Sequence, residues 1–320
     1  MNFDRNFLAQ AVAETGFRGE MLEKVAHLLN LLRTIQESEY LRTRLALKGG
    51  TALNLFHFQL PRLSVDIDFN YVGAEDREGM LAERPELEAR LTALCEREGY
   101  SIRHTPDNQF AGGKWQLRYA AARGGQGNIE IDINYMFRVP LWSVQYRNSV
   151  AIGPLHVQAM PVMDLHELAA GKLAALLDRC AARDLYDGVK LLAMPELDRS
   201  RLRTALTVYA GMNLQDMSEA TPEHLNVSAD EIADRLLPLL RKNDVSGAPP
   251  EVRAYTGRLI GQCREQLKSL LPFQTPEKEF LKSLTTTGVI RAELLTDDDA
   301  LTRRIQRQPM LLWRVRQKKQ

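Results

Sequence analysis

The chain is poor in cysteine: Cys95, Cys180 and Cys263 are the three among 320 residues, far apart and never spaced as C-x-x-C. An odd count without a close pair argues against a disulfide framework or a zinc knuckle and points to reduced, structural thiols. Long apolar runs are missing too, none approaching the ~18 residues that a membrane span needs. The N-terminus, Met1-Asn2-Phe3-Asp4-Arg5, lacks the basic and apolar segments of a signal peptide, so a cytoplasmic protein with no membrane partner is expected. Net charge is also scarce. With 42 Lys and Arg against 41 Asp and Glu the formal charge is +1, and near neutrality does not by itself mark a nucleic-acid binder, because phosphate binding rewards concentrated positive charge.

Several catalytic signatures are absent as well. There is no G-x-x-x-x-G-K-[ST], no G-x-G-x-x-G and no G-x-S-x-G. His166-Glu167 starts like an H-E-x-x-H zinc helix, but residue 170 is Ala where the second histidine must stand. No internal repeat or low-complexity segment is visible.

What is there is ordinary for a globular protein, 44% hydrophobic and 26% charged, over a length of roughly two domains. The pattern predicts an α+β protein: a mixed-sheet domain with leading helices over residues 1–155, then a helical domain over 156–320. Apolar residues at helical spacing, such as Val25, Leu28, Leu29 and Leu32, predict two helices before residue 41. Leu45-Ala46-Leu47 reads as a short strand that breaks at Lys48-Gly49-Gly50-Thr51, with a helix from Ala52 to Phe58. A strand over Ser64–Phe69 follows, then a charged helix from Pro85 to Arg97. Strands at Trp115–Ala121 and Asn128–Tyr135 flank a glycine-rich hairpin loop. After Val162 the texture is helical, with helices expected over Asp164–Ala181 and Leu185–Leu192 and with Asp164 and Glu167 spaced like a capping pair.

The chemistry concentrates in the strands. Asp66 and Asp68 are two apart, so both carboxylates leave one face while Val65, Ile67 and Phe69 leave the other. Adjacent carboxylates repel, and a fold tolerates them best where hard cations such as Mg2+ lie between them. Ile129, Ile131 and Ile133 alternate with Glu130, Asp132 and Asn134, which brings a third acid to a neighbouring strand, with Glu130 and Asp132 on one face. Three acids from two strands suit two-metal nucleotidyl transfer. A D-x-D pair alone is also common on solvated strands. Gly49-Gly50-Thr51 upstream adds to it, because glycines at a strand-to-helix turn let backbone N–H groups approach a phosphate.

Three stretches together carry a family resemblance. They are Lys48-Gly49-Gly50-Thr51-Ala52-Leu53 with Arg62-x-Ser64-x-Asp66-Ile67-Asp68-Phe69, then Ile129-Glu130-Ile131-Asp132, and last His166-Glu167-Leu168-Ala169-Ala170-Gly171-Lys172 with Arg179 and Arg183-Asp184-Leu185-Tyr186-Asp187. On these residues the chain resembles the AbiEii toxins of abortive-infection and toxin–antitoxin systems, within the DNA polymerase β-like nucleotidyltransferases, and is similar to tRNA-modifying Men-type toxins. The resemblance runs over about residues 45–192; the C-terminal third matches only as generally helical.

The resemblance implies a magnesium-dependent enzyme that moves a nucleoside monophosphate from NTP to RNA, the tRNA 3′ end in particular, so that translation stops, and it implies a cognate antitoxin. By the same resemblance, Asp66, Asp68 and Asp132 would hold two metals, with Glu130 the reserve for the third position, and Lys48, Gly49, Gly50, Thr51, Arg62 and Ser64 would line the nucleotide site. Lys172 would meet the β- or γ-phosphate, with Arg183 and Asp184 nearby and Asp187 catalytic. Lys172 also fits a lysine lying along an amphipathic helix, and Arg183, Asp184 and Asp187 also fit a structural ion-pair cluster. A protein or small-molecule acceptor, or a silent binding module, are the alternative functions. For an RNA acceptor the densest positive charge is the C-terminal run Arg303, Arg304, Arg307, Arg314, Arg316, Lys318 and Lys319 around Trp313, which reads equally as a solvated tail.

Overall fold

The computed structural model describes residues 3–106, 112–213, 215–245 and 247–318. The chain forms two units: Met1–Arg138 with Val144–Met163 and Pro238–Asp244, and Val139–Ser143 with Asp164–Leu237 and Val245–Gln320.

The first unit is built on a mixed sheet of seven strands among the described residues, ordered β3-β4-β5-β2-β1-β7-β6. The strands are β1 (Leu45–Lys48), β2 (Asp66–Tyr71), β3 (Ser101–His104), β4 (Gly112–Ala120), β5 (Gln126–Asn134), β6 (Gln145–Arg147) and β7 (Met160–Val162). β2 runs parallel to β5 and antiparallel to β1, and β4 and β5 form the expected antiparallel hairpin. Helices α1 (Arg5–Thr15), α2 (Gly19–Glu37) and α3 (Glu39–Arg42) lead the chain. α2 buries Leu22, Val25, Leu28, Leu29, Leu32 and Ile35 and packs on β5 and β7. The isoleucines of β5 are fully buried while its acids stay partly exposed, as period-two alternation requires.

Several elements differ from the sequence expectation: β3, β6 and β7 have no counterpart in it, and β2 begins at Asp66 and runs to Tyr71 where the pattern reads Ser64–Phe69. α4 (Gly49–Ala52), which runs on as a π turn over Leu53–His57, begins at the glycines themselves. α5 spans Arg77–Arg97, eight residues longer at its start than the pattern suggests, with Pro85 inside it. Asp76 caps it by accepting from the Gly79 N–H at 2.8 Å. The proline removes one helical N–H, and the carbonyl four residues back belongs to exposed Leu81, where water can satisfy it.

The second unit is helical: α6 (Leu165–Arg179), α7 (Ala182–Leu192), α8 (Arg199–Met212), α9 (Ala229–Glu231), α10 (Pro249–Leu267), α11 (Thr275–Thr286), α12 (Asp299–Gln306) and α13 (Pro309–Lys318). α6 packs on α7 and α8, α7 on α10, and α11 on α8 and α13. α7 starts three residues before the expected Leu185 because Glu231 accepts the Ala182 N–H at 2.8 Å, a cap supplied from far along the chain. The C-terminal run is two helices rather than a free basic tail. Arg304 donates to the Pro140 carbonyl at 2.8 Å, and Arg314 is held by the carbonyls of Gly211 and Asn213. Arg303, Arg307 and Arg316 stay exposed, and Lys319 and the side chain of Lys318 lie outside the described residues.

Candidate active site

Strand pairing aligns the acids into rows across the sheet. In one row Lys48 of β1 is the register partner of Asp68 on β2, Asp68 of Asp132 on β5, and Asp132 of Lys114 on β4. In the next row Asp66, Glu130 and Gln116 follow one another. Register partners share a face, so all these polar side chains leave the same side of the sheet.

The glycine turn stands directly against this face. Gly49 has φ of 71°, and a Cβ there would come within 2.4 Å of Asp68 Oδ2. A Cβ on Gly50 would come within 2.8 Å of Arg62 Nη2 and 2.9 Å of Ser64 Oγ. One glycine therefore supplies a left-handed backbone and clears the carboxylate, while the other leaves room for a guanidinium beneath the turn. Arg62 is 1% exposed and donates from Nη1 to the Leu63 carbonyl at 2.8 Å. Thr51 is fully buried and its hydroxyl donates to the Asp66 carbonyl at 2.5 Å, so the side chain ties the turn to β2. Replacing Gly49 by Ala is expected to cost about 1–2 kcal/mol for the left-handed backbone alone, with the clash on Asp68 added to it. A melting curve and an activity assay check this; a Gly49→Ala protein with wild-type melting and rate would show that the turn relaxes freely.

Electrostatics separate the acids. Burial pushes the Asp132 carboxyl above its ordinary pKa; Lys48 and Lys114 pull it down, and Asp68 and Glu130 push it further up. Glu130 is already engaged, by Lys114 Nζ at 2.8 Å and by Gln116 Nε2 at 3.2 Å. Among the described residues no group of three His, Cys, Asp or Glu side chains is placed to hold a metal ion. The donor chemistry nevertheless suits a hard divalent cation: Asp66, Asp68 and Asp132 offer carboxylate oxygen from one sheet face, and the missing Cβ of Gly49 keeps Asp68 Oδ2 clear.

The third sequence block lies in the second unit. Lys172 Nζ on α6 sits 2.7 Å from Asp184 Oδ1 and 3.2 Å from Asp187 Oδ2, both on α7 and both buried. Arg179 binds the other Asp184 oxygen at 2.7 Å. Burial raises the Asp184 pKa, but the Lys172 and Arg179 cations outweigh it and hold the carboxyl below its usual range. Arg183 is half-buried on α7 beside this cluster in sequence. Asp164 caps α6 by accepting the His166 N–H at 2.9 Å. Glu167 turns to Trp142 and Tyr209 rather than back to close a capping box.

A family model described as nucleotidyl transferase AbiEii toxin, type IV toxin–antitoxin system, matches residues 31–258. The chain belongs to the AbiEii nucleotidyltransferase toxins. It is an enzyme of the nucleotidyltransferase class, and its family implies a cognate antitoxin and an NTP substrate. Among solved structures it is similar to the nucleotidyltransferase toxin MenT4 of Mycobacterium tuberculosis H37Rv, with a TM-score of 0.62 and 17% identity over 97% of this chain and 99% of that one. That likeness shows the shared fold, a mixed sheet with flanking helices. No curated protein matches the chain. No described helix is long and apolar enough to cross a membrane.

Within this AbiEii chain, sequence reasoning missed Lys114 and Gln116. Only strand pairing brings them to the acid face, although the alternation of β4 around buried Trp115 and Leu117 was a usable signal. It also missed the work of Glu167. This 2%-exposed residue accepts the Trp142 N–H at 3.1 Å and the Tyr209 hydroxyl at 3.2 Å, which fastens the 139–143 segment to α6 and α8. Burial pushes its pKa from 4.5 up to about 7, with Asp164 adding to the rise and the hydrogen bonds opposing it. Because the folded pKa is the raised one, the folded state binds the extra proton between those values, and stability falls as pH rises through that window. Glu167→Gln should therefore melt close to wild type near pH 5 and above it near pH 8. Parallel melting curves for both proteins across this range would refute the assignment.

Proposed function

We propose that this AbiEii toxin transfers a nucleoside monophosphate from NTP to an RNA acceptor, the tRNA 3′ end, in a magnesium-dependent reaction in the cytoplasm, and so blocks aminoacylation and translation. The observation that carries the reading is the row of Lys48, Asp68 and Asp132 set against Gly49. A sheet gains nothing from setting Asp66, Asp68 and Asp132 together unless positive charge is brought to them, and the missing Cβ at Gly49 gives the Asp68 carboxylate room against the turn.

Asp66, Asp68 and Asp132 would hold the metal. Two divalent cations, when bound there, supply a lowered pKa for the attacking hydroxyl and neutralise charge on the leaving pyrophosphate. The glycine turn at Gly49 and Gly50 gives backbone N–H groups to the phosphates, and buried Arg62 with Ser64 supports it from beneath. Thr51 acts by locking the turn to β2. The acceptor hydroxyl oxygen bonds to the α-phosphorus as the bond to the β-phosphate oxygen breaks. Asp132 takes the hydroxyl proton. In the second unit Asp184 and Asp187 orient Lys172, which together with Arg183 offers the cations for a phosphate-binding role.

The test is incubation with NTP radiolabelled at the α-phosphate, with tRNA, and with or without magnesium. Label in tRNA that depends on magnesium supports the reading. Label in protein, or none, overturns it.

A further inference from the structure

We propose that the open face of β4, through Lys114 and Arg118, receives the backbone phosphates of the acceptor strand, an assignment that rests on the nucleotidyl-transfer reading of the adjoining acids. The argument is one of sides. In nucleotidyl transfer the attacking and leaving oxygens lie roughly in line through the phosphorus. The glycine turn follows β1, so pyrophosphate leaves toward β1, and the acceptor must come from the far side of Asp132, where β4 pairs with β5. Lys114 is the register partner of Asp132 on that side. From β1 to β4 there are three strand spacings, about 14 Å, too far for Lys114 to serve the phosphates held at the glycine turn.

The residue types fit a phosphate chain. Lys114 keeps 46% of its side chain exposed, and its bond to Glu130 is between two exposed groups, which a phosphate can replace at little cost. Arg118 lies two residues beyond Gln116 along the same face, about 14 Å from Lys114 by strand rise, and donates to Gln126 Oε1 at 2.9 Å. The opposite face of β4 is fixed by buried Trp115, Leu117 and Tyr119, so the two cations stand on a rigid strand. Backbone contacts of this kind position a strand without reading its bases.

The test uses the full-length protein carrying Lys114→Gln, Arg118→Gln, both changes, or Lys114→Arg, with fluorescently labelled tRNA titrated at several salt concentrations in magnesium. Each Gln variant is expected to weaken tRNA binding about tenfold and to flatten the log–log salt slope by about 0.7–0.9, the double variant by about twice that. Lys114→Arg should retain binding, the NTP KM of Arg118→Gln should stay at the wild-type value, and its melting should not change. If the Gln variants keep the wild-type salt slope, or if Arg118→Gln raises the NTP KM instead, the assignment falls while transfer to tRNA stands. Should the wild-type protein label no RNA, the parent reading falls first and this inference with it.

Discussion

Asp68→Ala is expected to abolish nucleotide transfer, by about a thousandfold or more, and to remove toxicity on expression, without unfolding the protein. The magnitude follows from what is lost: a metal clamp supplies several kcal/mol to the transition state, and each 1.4 kcal/mol is about tenfold in rate. The stability expectation follows from the row. Asp68 stands between Lys48 on one side and Asp132 on the other, with Asp66 two residues back on the same face, so its removal forfeits one attraction and relieves two repulsions. Melting without divalent cation should stay level or rise. Magnesium that binds only the folded state should raise the melting temperature of the wild-type protein, and this rise should vanish in Asp68→Ala. A variant that still transfers nucleotide, or that still responds to magnesium in full, would remove Asp68 from the metal site.

The acid face was legible in the sequence because alternation is a local property. Ile129, Ile131 and Ile133 must be buried together, and that sends Glu130 and Asp132 to the other side whatever the strand pairs with. Register is not local. That Lys48, Asp68, Asp132 and Lys114 form one row depends on which strands pair and with what offset, and no single strand encodes it. Alternation alone does not choose between Asp132 and Glu130, which the resemblance ranked; the pairing of Glu130 with Lys114 favours Asp132 on physical grounds.

The glycine turn was legible in kind but not in cause. Gly49 and Gly50 read as room for a phosphate, yet the tightest neighbours are protein groups: Asp68 for one, Arg62 and Ser64 for the other. Long-range caps were invisible. Ala181 gives no hint that a helix starts beside it, because the acceptor is Glu231. The C-terminal arginines were legible only as charge, for a related reason. Composition sees charge, but the packing that turns Arg304 and Arg314 onto backbone carbonyls is set by residues 140, 211 and 213.

The Lys172 cluster permits a prediction that separates architecture from chemistry. Asp184→Asn is expected to lower stability by about 3 kcal/mol at neutral pH, because it takes one carboxylate from a nearly buried lysine, and breaking a buried pair on one side costs roughly 3–5 kcal/mol. The lower end applies, since Lys172 keeps Asp187 at 3.2 Å and Arg179, 63% exposed, can turn to water. The pH dependence has a definite sign. The folded pKa of Asp184 is depressed, so its contribution is present above the unfolded carboxylate value of about 3.9 and is lost as pH falls through the folded value. Wild type and Asp184→Asn should therefore differ fully at pH 7 and converge in acid. Urea denaturation at both pH values measures the gap. A gap that is absent at pH 7, with nucleotide transfer nonetheless lost, would mean that Asp184 acts on substrate rather than by holding Lys172 in place.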